Sequence, residues 1–247
     1  MVTMARAFSL AYLTAAPLAP PEAIRLAARL GYAAVGLRIT PAAPGGAFSP
    51  LIGEKALLHA TQAALRETGV RVFDVEIIRI DQDFVPEAYG AFLDVCGALG
   101  AKAILVAGDD PDEARLTGRF ARFCEMAAPF GLTANLEFMP WTGVKDATSA
   151  LRIVEAAGQA NGRVLVDALH AARSTTTPAD LAAIPANRLA YAQICDAPAG
   201  IPATEADLIH TARCERLLPG DGGIDLAGIF GALPAEVENL LQLTEIK

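Results

Sequence analysis

Glycine marks the same point four times along this chain. Gly31, Gly69, Gly100 and Gly131 each stand one step past an amphipathic stretch and just ahead of a short apolar run, where a helix ends on a residue with left-handed backbone. Four uses of one helix stop, each followed by a strand pattern, restrict the chain to alternating βα architectures. The pattern starts with a strand at Phe8–Leu13 and a helix near Pro21–Leu30, opened by Pro20-Pro21-Glu22 with proline where the missing N–H costs nothing. Strands are predicted at Ala34–Ile39, Val70–Ile80, Ala103–Ala107 and Thr133–Phe138, separated by helices at Glu54–Thr68, Pro86–Leu99 and Asp112–Phe130. The second half continues with helix Val144–Ala157, strand Arg163–Asp167, helix Pro178–Ala183, strand Leu189–Ile194, helix Asp225–Leu233 and strand Leu240–Ile246. The residues from Arg6 to Ala16 imitate a short signal peptide, but a first buried strand before a proline-opened helix uses every residue there.

Eight strands in regular alternation, without a long linker, predict a (β/α)8 TIM barrel forming one domain over residues 1–247. The alternative, a doubly wound open sheet, lacks a Gly-rich fingerprint. A helix should follow strand eight, yet the chain stops at Lys247, so the final outer helix is expected to be missing. Apolar surface would then be uncovered where strand eight meets strand one unless a partner subunit or an N-terminal segment covers it, so a homo-oligomer or a truncated chain is expected. With 28 acidic against 20 basic residues and no basic cluster, neither nucleic acid nor an anionic membrane is an expected partner. The four cysteines include no CxxC pair, which fits a reduced cytoplasm and gives no structural zinc site. No run of 18 apolar residues without charge is present, so no spanning helix is predicted.

In a barrel, chemistry is carried by side chains at the C-terminal ends of strands. Strand five ends Asn135-Leu136-Glu137, strand six ends Val166-Asp167 and leads to His170, and strand seven carries Gln193. Three consecutive strands therefore aim Glu137, Asp167 and Gln193 at one mouth, an oxygen-rich set suited to a divalent ion, Mn²⁺ or Mg²⁺ first and Zn²⁺ as an alternative. Taken singly, each carboxylate is as readily a helix cap, and His170 a structural histidine. In the same loop as Asp167, His170 can instead polarise a bound carbonyl or hydroxyl. Glu76, on one face of strand three with Asp74 and Ile78, is a candidate substrate-binding residue, and two acids inside a barrel need a cation, Arg38 or Arg79.

These residues in this order resemble the xylose isomerase-like barrel family, which includes sugar phosphate isomerases and epimerases, D-tagatose 3-epimerase, hydroxypyruvate isomerase and 3-dehydroshikimate dehydratase. The resemblance is carried by Leu136-Glu137-Phe138-Met139-Pro140-Trp141, Val166-Asp167-Ala168-Leu169-His170, Gln193-Ile194-Cys195-Asp196 and the run Arg216–Gly223, and it covers nearly the whole chain. It implies a divalent ion held by Glu137, Asp167, Gln193 and a strand-eight glutamate, with His170 and an arginine after strand seven on the substrate. Arg216 is preferred over Arg213 for that arginine. Counted without a gap, strand eight places Gln242 where the glutamate is expected, and Glu245 lies three residues late. Glu245 is taken for its chemistry as metal ligand and second acid/base, although reaching it requires a slip that changes strand parity.

The implied activity is isomerisation or epimerisation of a sugar, sugar phosphate or related polyhydroxy carbonyl compound, by proton abstraction through an enediolate with Glu137, Glu245 and His170 catalytic. Dehydration of the 3-dehydroshikimate dehydratase type is the runner-up, and a metal-free binding barrel is the alternative of a different class. A phosphate on the Gly-rich turn Pro219–Gly223 is disfavoured by Asp221 and Asp225, the latter being better used as a helix cap. The four lysines, Lys55, Lys102, Lys145 and Lys247, are not placed for Schiff-base chemistry, and three histidines are too few for a multi-zinc endonuclease.

Overall fold

The computed structural model describes residues 7–234 and 240–243. Its strands are β1 (Ala7–Leu10), β2 (Ala34–Arg38), β3 (Arg71–Ile80), β4 (Ala103–Gly108), β5 (Thr133–Glu137), β6 (Gly162–Asp167), β7 (Leu189–Ile194) and β8 (Leu240–Leu243). Each pairs in parallel with the next, and β8 pairs with β1 from Ala7↔Leu240 to Leu10↔Leu243, so the sheet closes into a barrel. Closure excludes the open doubly wound sheet.

Around the barrel run α1 (Pro20–Leu30), α2 (Lys55–Thr68), α3 (Gly90–Ala98), α4 (Glu113–Ala127), α5 (Ala147–Ala157), α6 (Ala168–Arg173), α7 (Pro178–Ala182), α8 (Glu205–Cys214) and α9 (Leu226–Ala232). The four helix-stopping glycines all have positive φ, from 67° at Gly100 to 82° at Gly31. Two helices start later than their apolar periodicity implies because an aspartate caps them. Asp112 accepts from the Arg115 N–H at 3.0 Å before α4, and Asp146 from the Ser149 N–H at 2.8 Å before α5. The predicted helix at Pro86–Leu99 divides into a 3₁₀ turn over Pro86–Tyr89 and then α3. Helices α6 and α8 went unread in the sequence: α6 has only six residues, and the apolar positions of α8 keep no clean helical period.

The main core lies between sheet and helices. From α4, Leu116, Phe120, Phe123, Cys124 and Ala127 fall on one face and are buried against strand residues such as Ile104, Leu136 and Val164. Each large side chain so buried contributes about 2 kcal/mol of transfer free energy. A smaller cluster of Ala103, Leu105, Leu165 and Tyr191, with Phe73 and Ile77 packed on it, fills the barrel itself. Tyr191 meets Phe73 edge-on at 4.9 Å and gives its hydroxyl to Asp74 at 3.4 Å. The barrel floor is therefore plugged, and polar groups collect above it at the mouth.

Strand β3 departs from simple alternation. Its register slips against β2 beside Phe73 and against β4 between Val75 and Ile78. Ile77 consequently joins Glu76 on the inner side, while Ile78, expected on the face of Glu76, packs in the outer core. Asp74 and Glu76 do both face inward, as expected.

The residues after β8, where the final outer helix was expected to be missing, lie outside the described residues. At the seam beside β8, Phe8, Leu30, Tyr32, Ile194 and Pro219 line a shallow depression of about 500 Å³, and Phe8 is 44% exposed although β1 was expected to be buried. No helix among the described residues is long and apolar enough to cross a membrane.

Candidate active site at the barrel mouth

The ends of β5, β6 and β7 bring the predicted site residues together. Asp167 and Gln193 are register partners, and Gln193 is in turn the partner of Gln242 on β8. Glu245 lies outside the described residues. Glu137, Asp167, His170, Gln193 and Arg216 are all at least nine-tenths buried, and one ligand atom from each of Glu137, Asp167 and His170 lies within 4.8 Å of the others.

Asp167 serves as a helix cap and is a candidate site residue at once. Its Oδ1 accepts from the N–H groups of Leu169 at 2.8 Å and His170 at 3.2 Å, which opens α6. Its Oδ2 accepts from Nη1 of Arg216 at 2.7 Å. Arg216 is fixed further by donating from Nε to the Ala212 carbonyl at 2.8 Å, and its Nη1 lies 3.0 Å from Cys195 Sγ. Arg213, the rival arginine, is exposed and lines the outer cavity wall.

Burial, and then the charge on Asp167, push the Glu137 carboxyl well above the usual carboxylate range. Burial acts the same way on Asp167, but Arg216 and then His170 outweigh it and hold Asp167 below that range. Burial lowers His170 to about 4, partly opposed by Asp167, so the ring is neutral at pH 7. Its Nε2 stands 3.7 Å from Glu137 Oε1, and its buried Nδ1 has no hydrogen-bond partner among the described residues. Trp141 packs edge-on against the ring at 5.1 Å. The sequence had shown Trp141 only as part of a motif; its place four residues beyond Glu137 was the available signal.

Glu137, Trp141, His170, Gln193 and Arg216 line a cavity of about 320 Å³, with Asp167 behind them. Its opposite wall holds Glu76 with Arg38, whose Nη2 donates to Glu76 Oε1 at 3.3 Å. Arg79, the other possible partner, pairs instead with Asp109 at 2.8 Å. Tyr12 and Leu13, expected only as part of the first strand, lie beside this wall.

The Gly-rich turn beyond β7 has its amides occupied from within. Asp196 accepts from Gly220 and Ile224 N–H groups, each at 3.0 Å, and Asp225 caps α9 through the Gly228 N–H at 2.9 Å. This agrees with the cap reading of Asp225 and leaves little for a phosphate.

The donor set fits a divalent ion. Two carboxylates, a neutral imidazole and the Gln193 amide converge on a buried space with Arg216 as the cation on Asp167, and a metal would offset the burial and the Asp167 charge that drive Glu137 upward.

The profile of the xylose isomerase-like TIM barrel family matches residues 24–239. A 3-dehydroshikimate dehydratase of Pseudomonas aeruginosa PAO1 is 30% identical over 142 residues, 57% of this chain and 21% of that protein. The chain thus spans about a fifth of the length of that relative. Among solved structures, a xylose isomerase-like TIM barrel/4-hydroxyphenylpyruvate dioxygenase fusion protein superposes with a TM-score of 0.83 at 19% identity, over 99% of this chain and 39% of that one. The IolI protein, solved with a zinc atom, superposes with a TM-score of 0.78 at 16% identity, over 96% of this chain and 88% of that one. Fold, strand-end residues and family profile converge, and this chain belongs to the xylose isomerase-like TIM barrel family.

Proposed function

We propose that the chain is a divalent-metal-dependent enzyme that removes the proton beside the carbonyl of a small polyhydroxylated substrate and returns it as an isomerase or epimerase. The observation that carries this reading is the buried convergence of Glu137, Asp167 and His170 within 4.8 Å at the barrel mouth. Glu137, Asp167 and Gln193 would hold the ion, with Glu245 as the expected fourth ligand and second acid/base. When bound, a divalent ion supplies the positive charge that acidifies a C–H next to a carbonyl. Glu137 takes the proton. Neutral His170 hydrogen-bonds a substrate oxygen from beside it, with its orientation held by Trp141. Arg216 keeps Asp167 ionised and touches the substrate from the cavity wall. The plugged floor confines the substrate to the mouth and keeps it small.

A second reading, dehydration, is favoured by the 30% identity to a 3-dehydroshikimate dehydratase. The register position of Gln242 beside Gln193 favours it as well. If no carboxylate stands on β8, one base remains, and loss of a β-hydroxyl needs only one where epimerisation needs two.

Proton NMR of the Mn²⁺-loaded protein in D₂O, with aldoses, ketoses and 3-dehydroshikimate, separates the readings. Isomerase or epimerase chemistry gives rearranged substrate carrying deuterium at the reacting carbon. Dehydratase chemistry gives loss of water. Neither exchange nor elimination with any of these compounds, in protein shown to bind Mn²⁺, would overturn the proposed class.

A further inference from the structure

The acid end of the cavity leaves its opposite wall without a role. That wall is built by the end of β2 and by β3, and its charged residues are Arg38, Glu76 and Arg79. Arg38 is the last residue of β2 and the register partner of Glu76. Its guanidinium carbon lies 4.4 Å from the centroid of the Tyr12 ring, and Tyr12 is itself tied by its hydroxyl to the Ala47 carbonyl at 3.3 Å. An aromatic face on one side and a carboxylate on another fix the guanidinium in place.

They do not use up its donors. A guanidinium has five N–H groups. The bond to Glu76 comes from Nη2, and the buried Nε has no acceptor among the described residues. A buried charged group with an unused donor is costly unless something arrives to accept it. The partner that matches a planar fork of N–H groups is a carboxylate or a phosphate. Arg79 adds a second positive charge on the same wall, one of its donors going to the half-exposed Asp109. Arg38 therefore keeps an unused donor beside the buried Glu76, with Arg79 next to it on the same wall, whereas across the cavity Glu137 stands with Arg216 and His170.

We infer that Arg38, with Arg79, is the anion-binding end of the cavity, so the substrate is an acid: a carboxylate or phosphate at one end, the reacting carbonyl and hydroxyls at the other. This rests on the reading of the acidic end as the reacting end. Specificity between anionic and neutral polyhydroxy compounds then lies on β2 and β3, away from the metal-ligand strands.

The test is calorimetric titration of the full chain, metal-free and Mn²⁺-loaded, with three matched probes: glucitol, gluconate and glucitol 6-phosphate. The expected result is that at least one anion binds ten or more times tighter than neutral glucitol, and which anion does so distinguishes a carboxylate from a phosphate. The double variant Arg38→Gln/Glu76→Gln, which keeps the buried wall neutral, should erase that preference with Mn²⁺ affinity unchanged. Arg38→Lys, which retains the charge without the fork, should lower it severalfold and serves if the double variant fails to fold. Equal binding of all three probes by the parent chain, or an anion preference that survives loss of Arg38, would overturn the inference. Absent Mn²⁺ binding with the anion preference intact would instead overturn the metal-enzyme reading, so the two failures are distinguishable.

Discussion

Asp110, just past β4, and Asp167, at the end of β6, look alike in isolation. Both side chains are sealed from solvent, and both receive an arginine at hydrogen-bond distance. Asp110 is held by Arg115 through two bonds of 2.6 Å and by Arg119 at 3.1 Å, and it also accepts the Asp112 N–H at 2.9 Å. Two cations surround one carboxylate, and with Asp112 3.6 Å from Arg115 the cluster is electrically balanced. Asp167 shares its one arginine with a second buried carboxylate, Glu137, and a neutral histidine. An arginine on a buried acid is therefore no sign of function. Two buried carboxylates sharing one arginine, one of them on a cavity wall, are what mark the candidate site.

The largest effect that would sharpen this contrast is expected from Glu137→Gln. Steady-state turnover should fall about a thousandfold, the scale of a lost general base, with an unchanged circular dichroism spectrum. Retained turnover would remove Glu137 from the mechanism. Asp167→Asn should act on two readouts, weakening Mn²⁺ binding and destabilising the fold by about 3 kcal/mol, because Arg216 is left as an uncompensated buried charge. Denaturant unfolding beside a metal titration measures both. Asp110→Asn should lower the melting temperature by several degrees and leave Mn²⁺ affinity untouched. A change in ion affinity in that variant would erase the distinction between the two aspartates.

The smallest effect is on pH dependence, where the two clusters should have opposite signs. Asp110 has a folded pKa below its unfolded value, chiefly through its bonds to Arg115, so its contribution is present above the ordinary aspartate range and is lost as pH falls through the folded value. Glu137 has a folded pKa raised by burial, so in metal-free protein stability declines as pH rises from the ordinary glutamate value toward the folded one. Melting curves of metal-free parent and Glu137→Gln across that window should converge at low pH and separate above pH 5, with the parent the less stable. Parallel curves would mean that Glu137 carries no raised pKa.

Much of this was legible because it is local. A glycine one step past a helix reports its own backbone requirement, and Gly31, Gly69, Gly100 and Gly131 located helix ends without any knowledge of their neighbours. Acids at the ends of apolar runs placed Glu137 and Asp167 at one mouth once the barrel was inferred. The β3 slips were not legible, since a period-two pattern in Val70–Ile80 carries no mark of which pair of residues will share a side. The assignment of arginines also lay beyond the sequence. Arg216 and Asp167 are 49 positions apart, and Arg38 and Glu76 are 38 apart. Which cation meets which acid depends on strand stagger and on the path of intervening loops, neither of which has a local signature.

The chain's own residues determined the alternation of strand and helix, the stops between them and the kinds of group delivered to the barrel mouth, because periodicity and backbone preference act within a few residues. Only the closed barrel decided that Asp110 would be saturated by two arginines while Glu137 shares a buried space with Asp167. Burial and charge pairing are properties of what surrounds a group in three dimensions, and those surroundings are assembled from segments far apart in the chain.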